Sequence, residues 1–318
     1  MYLLSLPLWE AFLISEGFVI NNQKLSALLI AATGIILFSS KAVMVKLAYG
    51  YDIDELSLLL LRMVFALPFY LGVWIYKRSE WKERPLSTKQ WAGVIALGLV
   101  GYYFASFFDF KGLTYISASL ERLILFTYPT IVLILSAIFL KKRITGFQIT
   151  AILITYAGLA IIFMDNQGIA SGATEEVITG SAFILLSALT YAMYLTGTNF
   201  MIGGIGTLRL TTIVMSMSCL SVIIHFSLAQ TPDIFGYPYQ VYVIGILMAV
   251  FATVLPSFMI NEAIKRIGAP DVSILGSLGP VSTITLSMIF LGERLTLIQF
   301  FGALVIISGV AIITLNKR

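Results

Sequence analysis

The chain of 318 residues holds one cysteine and one histidine, and only 11% of it is charged. Each scarcity excludes something. A lone Cys219 permits no internal disulfide, and in an apolar segment it reads as a small packed hydrophobe. A lone His225, with no second histidine or cysteine beside it, offers no metal site; it reads as a packed or interfacial residue near the outer end of its segment. No glycine-rich phosphate loop, zinc motif or nucleophile elbow occurs, so an ATP-driven pump is unsupported and no cofactor is expected. A soluble domain carries about 25% charged residues. This chain, 59% hydrophobic, has more apolar surface than a soluble fold of its length can hide, and the excess must face lipid. The basic residues sit in a few short loops, which argues against a nucleic-acid surface.

What is present is a repeat. Shifted by 151 positions, Pro129 falls on Pro280, Ser106 on Ser257 and Gly158 on Gly309. The run Ser136, Ile138, Phe139, Leu140, Arg143, Thr145, Gln148 falls on Ser287, Ile289, Phe290, Leu291, Arg294, Thr296, Gln299. A repeat of this length in so apolar a chain points to a duplicated membrane transporter.

Apolar runs of about 20 residues, the length that crosses a bilayer, lie near 25–48, 55–76, 89–110, 116–140, 146–164, 178–200, 207–229, 239–262, 270–291 and 296–315. The expected fold is therefore an all-α membrane protein with ten transmembrane helices. With the N-terminus inside, fourteen lysines and arginines fall in cytoplasmic segments and three, Lys46, Lys111 and Arg294, in external ones. That bias satisfies the positive-inside rule with both N- and C-termini cytoplasmic. Five spans per half is odd, so the second copy enters the membrane upside down, and the two repeats are inverted. The expected layout is an N-terminal apolar extension at 1–24, either interfacial or an over-long start. A first repeat at 25–164, an external linker at 165–177, a second repeat at 178–315 and a cytoplasmic tail at 316–318 follow. Inverted repeats support alternating access around a site near the bilayer midplane.

The stretch Gly112-Leu-Thr-Tyr-Ile-Ser-Ala118, Arg62 in the second span and the Pro129-centred fourth span carry a family resemblance. So do Ala269-Pro270, Pro280, Leu291-Gly-Glu-Arg294, Gln299 and Gly309. The chain resembles the drug/metabolite transporter superfamily in its ten-helix EamA-type branch. It departs where members often show Gly-Glu-Arg in the first copy, reading Lys141-Lys142-Arg143 instead. A tryptophan common in the first span appears as Phe38, with Tyr191 as its counterpart in the sixth. The resemblance implies secondary transport of small metabolites such as amino acids, usually export, in a bacterial or archaeal inner membrane. A small-molecule substrate and the lipid bilayer are the partners it implies.

Pro129 and Pro280 each remove a backbone bond at matched places. Paired interruptions point to a site at the repeat interface, although kinks made for packing give the same pattern. Among ionisable residues, Lys41, Arg62, Asp109, Glu121 and Arg122 fall in the outer half of the first repeat. Asn199, Asn261, Glu262 and Asp271 fall at the inner ends of the second. The two groups are expected to act as outer and inner gates. Glu121 is expected to pair with Lys41 or Arg62 across helices. It then reads either as a fixed staple or as a group that exchanges a proton, which makes proton coupling an open reading. Arg122 is close enough to the surface to snorkel. Phe38, Tyr102, Tyr128, Tyr191 and Tyr194 lie mid-span, away from the interfacial belt. With Ser106 and Ser257 they make a candidate substrate site suited to a zwitterion, and Tyr128 is expected on the helix face of Glu121.

An importer or antiporter of organic anions or sugar phosphates is the alternative. Lys41, Arg62 and Arg122 would serve it, but Glu121 and Asp109 are expected to neutralise them. An intramembrane enzyme needs a catalytic constellation at one depth; Asp109 and His225 have no such partners, so no catalytic residue is assigned. A receptor or scaffold would need neither matched broken helices nor intramembrane charges. Oligomeric state does not follow from the sequence.

Overall fold

The structure, a computed structural model, describes residues 22–140, 146–165, 175–229, 233–269 and 278–315, together with 272, 275 and 276. Among the described residues every regular element is helical: α1 (Asn22–Tyr49), α2 (Glu55–Lys82), α3 (Thr88–Tyr115), α4 (Ala118–Leu125), α5 (Tyr128–Leu140), α6 (Gly146–Asp165), α7 (Glu175–Ile205), α8 (Thr207–Leu228), α9 (Tyr239–Ile267), α10 (Leu278–Phe290) and α11 (Leu297–Leu315). Among the described residues seven stretches are long and apolar enough to cross a bilayer: α1, α2, α3, the α4–α5 unit, α7, α8 and α9. Two shorter apolar helices, Leu278–Phe290 and Leu297–Gly309, add to them. The chain is a multi-pass membrane protein. Large apolar residues such as Leu29, Ile75, Phe139, Ile224 and Leu297 remain on the outside of the bundle, where lipid satisfies them.

Side-chain oxygens start several helices. Asp54 accepts from Leu56 N and Ser57 N at α2, and Ser87 with Gln90 forms a capping box at α3. Helices α2, α7 and α9 overrun the spans expected at 55–76, 178–200 and 239–262, ending at Lys82, Ile205 and Ile267. The last turns of α2 and α9 carry Lys, Arg or Glu, and that of α7 carries Gly203 and Gly204, all of which lower hydropathy without ending the helix there.

Two helices contain wide turns. Backbone bonding in α3 follows the π pattern over Leu97–Phe104, and in α9 over Val250–Val254. The segments lie at matched positions of the repeat, and Thr253 stands 151 residues after Tyr102. Pro256 just beyond the second segment lacks the N–H an α-turn would use. The fourth span is interrupted too. Helix α4 ends at Leu125, Phe126 and Thr127 form a turn, and α5 resumes at Tyr128, so that Pro129 sits in its first turn. Glu121 and Tyr128 therefore do not share the face of one continuous helix. In the second half Gly276 forms the corresponding turn before Pro280.

The two halves interlock. Helix α1 packs on α9 and α10, and α7, its counterpart, packs on α3 and α5; α2 meets α8, and α6 meets α11. Exchanging the halves leaves these relations unchanged. One end of the bundle carries the Lys111–Glu55 pair and the Tyr237–Asp54 bond. The other carries Arg209 on the carbonyls of Arg84 and Trp81, and Arg266 on Ser26.

Candidate functional site

The buried interior between the halves is polar and aromatic at once. Phe38 of α1 stacks on Tyr191 of α7, with ring centroids 5.9 Å apart and planes 10° apart. Tyr128 meets Tyr191 edge-on at 5.1 Å, and Tyr102 meets Tyr194 edge-on at 5.6 Å. Gly101 lets α3 approach α7 this closely, since a Cβ there would sit 2.5 Å from the Tyr194 Cβ. Within this group lies a cavity of about 20 Å³ lined by Phe38, Lys41, Tyr102, Ser106, Ser187 and Tyr191 among others. That is room for about one water. A second void of about 10 Å³ adjoins Tyr194, Ser257 and Asn261. The aromatic and serine residues expected to form one site are thus brought together, with little space left between them. A separate apolar cavity of about 310 Å³ lies between α3, α5 and α7, lined by Leu97, Leu135, Met193 and Phe200 among others.

The ions pair differently from the sequence expectation. Lys41 Nζ meets Asp109 Oδ2 at 2.7 Å and lies 4.9 Å over the Phe38 ring. Glu121 is fully buried and, among the described residues, makes no ion pair with Lys41 or Arg62. Asp109, Lys41 and Arg122 surround it. The expected staple is therefore Asp109 with Lys41, not Glu121. Asp109 comes from the last turns of α3, whose azimuth is set by the π segment before it. Spacing along a regular helix does not predict that.

Arg62 of α2, with 0% exposure, donates from Nε to Thr253 Oγ1 at 2.6 Å. Its terminal nitrogens reach Ser106 Oγ and Tyr102 Oη only at 3.4 and 3.5 Å. It faces neutral partners from both π segments, so the acidic residues do not neutralise it as expected. Arg122 does not snorkel. It is buried, donates from Nη2 to Ser39 Oγ at 2.8 Å and lies 5.7 Å over Phe38. Its guanidinium rests on the Cα of Gly279, one residue before Pro280, where any Cβ would collide with it. The Pro280 break thus delivers a bare backbone to the Arg122 side chain.

Of the expected gate at the opposite end, Glu262 pairs with Arg266 on its own helix, and the Asn199 Oδ1 accepts from Ala269 N at 3.3 Å. Asn261 does not join them. It bonds Tyr194 and Thr211 in the interior and belongs to the aromatic group. Asp271 lies outside the described residues. Ser257 bonds Tyr70 at 2.9 Å. His225 packs against Phe107, and its Nδ1 shares a hydrogen bond with the Tyr103 hydroxyl.

Sequence reasoning missed Glu293. Its Oε1 accepts from Ala118 N at 3.0 Å, and its Oε2 from Ser119 N at 3.0 Å and Ser119 Oγ at 2.6 Å. With Ser117 accepting from Leu120 N, the first three N–H groups of α4 are satisfied. The carboxylate also faces the positive end of the helix dipole. The signal was the Leu-Gly-Glu-Arg run opposite a Ser-Ala-Ser helix start, two segments far apart in sequence.

A bundle of apolar helices closed around a buried ionic and aromatic site is the form of a membrane transporter, and comparison with known proteins agrees. The profile of the EamA-like transporter family matches residues 25–164 and 178–315. The chain belongs to that family. It is 30% identical over 273 residues to the uncharacterized transporter YcbK of Bacillus subtilis, covering 85% of this chain and 86% of that one. It is 26% identical over 266 residues to an uncharacterized transporter of Archaeoglobus fulgidus, covering 84% and 88%. The uncharacterized inner membrane transporter YicL of Salmonella typhimurium is 26% identical over 204 residues, covering 64% and 66%. A solved crystal structure superposes with a TM-score of 0.67 over 92% of this chain and 98% of the other at 18% identity, a likeness of fold.

Proposed function

We propose that this protein is a secondary active carrier that exports small polar metabolites, amino acids or related compounds, by alternating access. The observation that carries this reading is the small cavity of about 20 Å³ among Phe38, Lys41, Tyr102, Ser106 and Tyr191 at the junction of the two halves. A site this small holds no metabolite as it stands. The halves must separate at one end to fill it and at the other to empty it. The symmetric packing of matched helices supports such an exchange between two inverted five-helix repeats, ten spans in all, with both termini in the cytoplasm. The two gates in this reading are the α4–Glu293 contact at the external end and, at the cytoplasmic end, the contacts of Arg209 with the Arg84 and Trp81 carbonyls and of Arg266 with Ser26.

Glu121 is the group we assign to proton exchange. Its carboxyl is fully buried beside that of Asp109 and forms no ion pair among the described residues, which supports a titrating rather than a stapling role. The test is comparative mass spectrometry of small metabolites inside and outside cells making the intact protein or Glu121→Gln at equal membrane abundance. A compound enriched outside only with the intact protein supports export and a working Glu121. Equal profiles for the two forms and for cells lacking the protein sink the export reading.

A further inference from the structure

Among the described residues the buried charged side chains are five: Lys41, Arg62 and Arg122 against Asp109 and Glu121. With both carboxyls ionised the group carries one positive charge in excess, and a proton on either carboxyl raises that to two. An uncompensated charge away from water is costly and marks function. The excess has a location. Lys41 has its carboxylate, whereas Arg62 has 0% exposure and no carboxylate within 4 Å among the described residues. Its Nε is held by Thr253 at 2.6 Å, which fixes the plane of the guanidinium between the two π segments. Phe110 covers it at 5.4 Å. The terminal nitrogens are left with contacts of 3.4 and 3.5 Å, longer than a well-made N–H···O bond of about 2.9 Å. The two residues they stretch toward, Ser106 and Tyr102, line the small cavity, as does Lys41.

We propose that Arg62 is the substrate's carboxylate receptor, and that the carrier takes a monoanionic carboxylate with a flat apolar or aromatic body. The carboxylate enters between Ser106 and Tyr102 and accepts from both terminal nitrogens in the paired geometry that guanidinium and carboxylate share. The body lies against the Phe38–Tyr191 stack, whose rings close the space in the empty state. A monoanion cancels the excess charge when both carboxyls are ionised and halves it when one of them holds a proton. A zwitterion leaves it in place and a cation increases it, so the charge count selects among compounds that one aromatic cavity would otherwise admit. This rests on the carrier reading and replaces its amino-acid substrate, and the zwitterion expected from the sequence, with a monoanion.

The test uses the full-length protein in lipid nanodiscs and three probes with one ring and three charges: phenylacetate, phenylalanine and phenethylamine. Binding is read as the ligand-dependent rise in unfolding temperature and by equilibrium dialysis. The expected order is phenylacetate first, phenylalanine at least tenfold weaker, and phenethylamine without effect. Arg62→Lys keeps the charge but loses the fork and should weaken phenylacetate about tenfold. Arg62→Gln should abolish its binding. Phenylacetate binding no tighter than phenylalanine or phenethylamine, or no binding of any probe, overturns the proposal; so does full phenylacetate affinity in folded Arg62→Gln. If neither variant folds, the ranking on the intact protein still decides. Binding at equilibrium needs no transport, so absent export with intact phenylacetate binding counts against the carrier reading alone.

Discussion

Replacing Glu293 with alanine should unlatch one end of the bundle. Three donors converge on that carboxylate: the N–H groups of Ala118 and Ser119 and the Ser119 hydroxyl. Hydrogen bonds to a charged group contribute about 1.5–3 kcal/mol each when well buried. Here the contact borders a polar cavity of about 230 Å³ lined by Ser117, Ser119, Glu293 and Arg294, among others, which water can fill. Water would replace part of what alanine removes, so the loss is set near the low end, about 2 kcal/mol for the whole contact. At about 1.4 kcal/mol per decade, that is roughly a thirtyfold rise in the opening of the α4 start. The assay is hydrogen–deuterium exchange on a peptide covering 117–125, in nanodiscs, with a peptide from α8 as the internal control. Protection should fall by that factor in Glu293→Ala and by less in Glu293→Gln, whose amide oxygen still accepts. A change under about threefold in Glu293→Ala, with α8 unchanged, would refute the claim that this contact holds the end shut.

Other consequences follow from the same packing. Asp109→Asn leaves Lys41 buried without its carboxylate and should destabilise the protein by about 3–5 kcal/mol, with Lys41→Met in the same chain restoring much of the loss in a thermal unfolding series. Gly101→Ala forces a methyl into Tyr194 and should cost about 1–3 kcal/mol, read as a lower unfolding temperature. Asn261→Leu strips both Tyr194 and Thr211 of their partner; transport should drop while membrane abundance holds, and normal flux would return Asn261 to a structural role.

The membrane class and the duplication were legible because both are statements about many residues at once. Lipid-facing surface needs apolar side chains over whole spans, and the 151-residue repeat is carried by positions from Ser106 to Gly158. Phe38 and Tyr191 were legible as members of one interior group, since both stood mid-span where an aromatic ring has no interfacial role, but their stacking on each other was not. The partner of Lys41 was not legible. Two carboxyls lie at similar depth on neighbouring helices, and only the azimuth of α3, reset by the π turn at Leu97–Phe104, selects Asp109. Asn261 was misplaced because it adjoins Glu262 in sequence; adjacent helical residues point about 100° apart, one to the interior and one to Arg266. Glu293 escaped notice because a cap supplied from another segment leaves no spacing to read.

Cys219 is sealed against Met63, with 0% exposure. The protein is therefore already its own blank for thiol chemistry. A pair of cysteines introduced at the bundle end, one beside Ser119 and one beside Arg294, would be the only thiols a water-borne reagent finds. Spin or fluorescent labels placed there would turn the separation of the two halves into a ruler reading on the otherwise native chain.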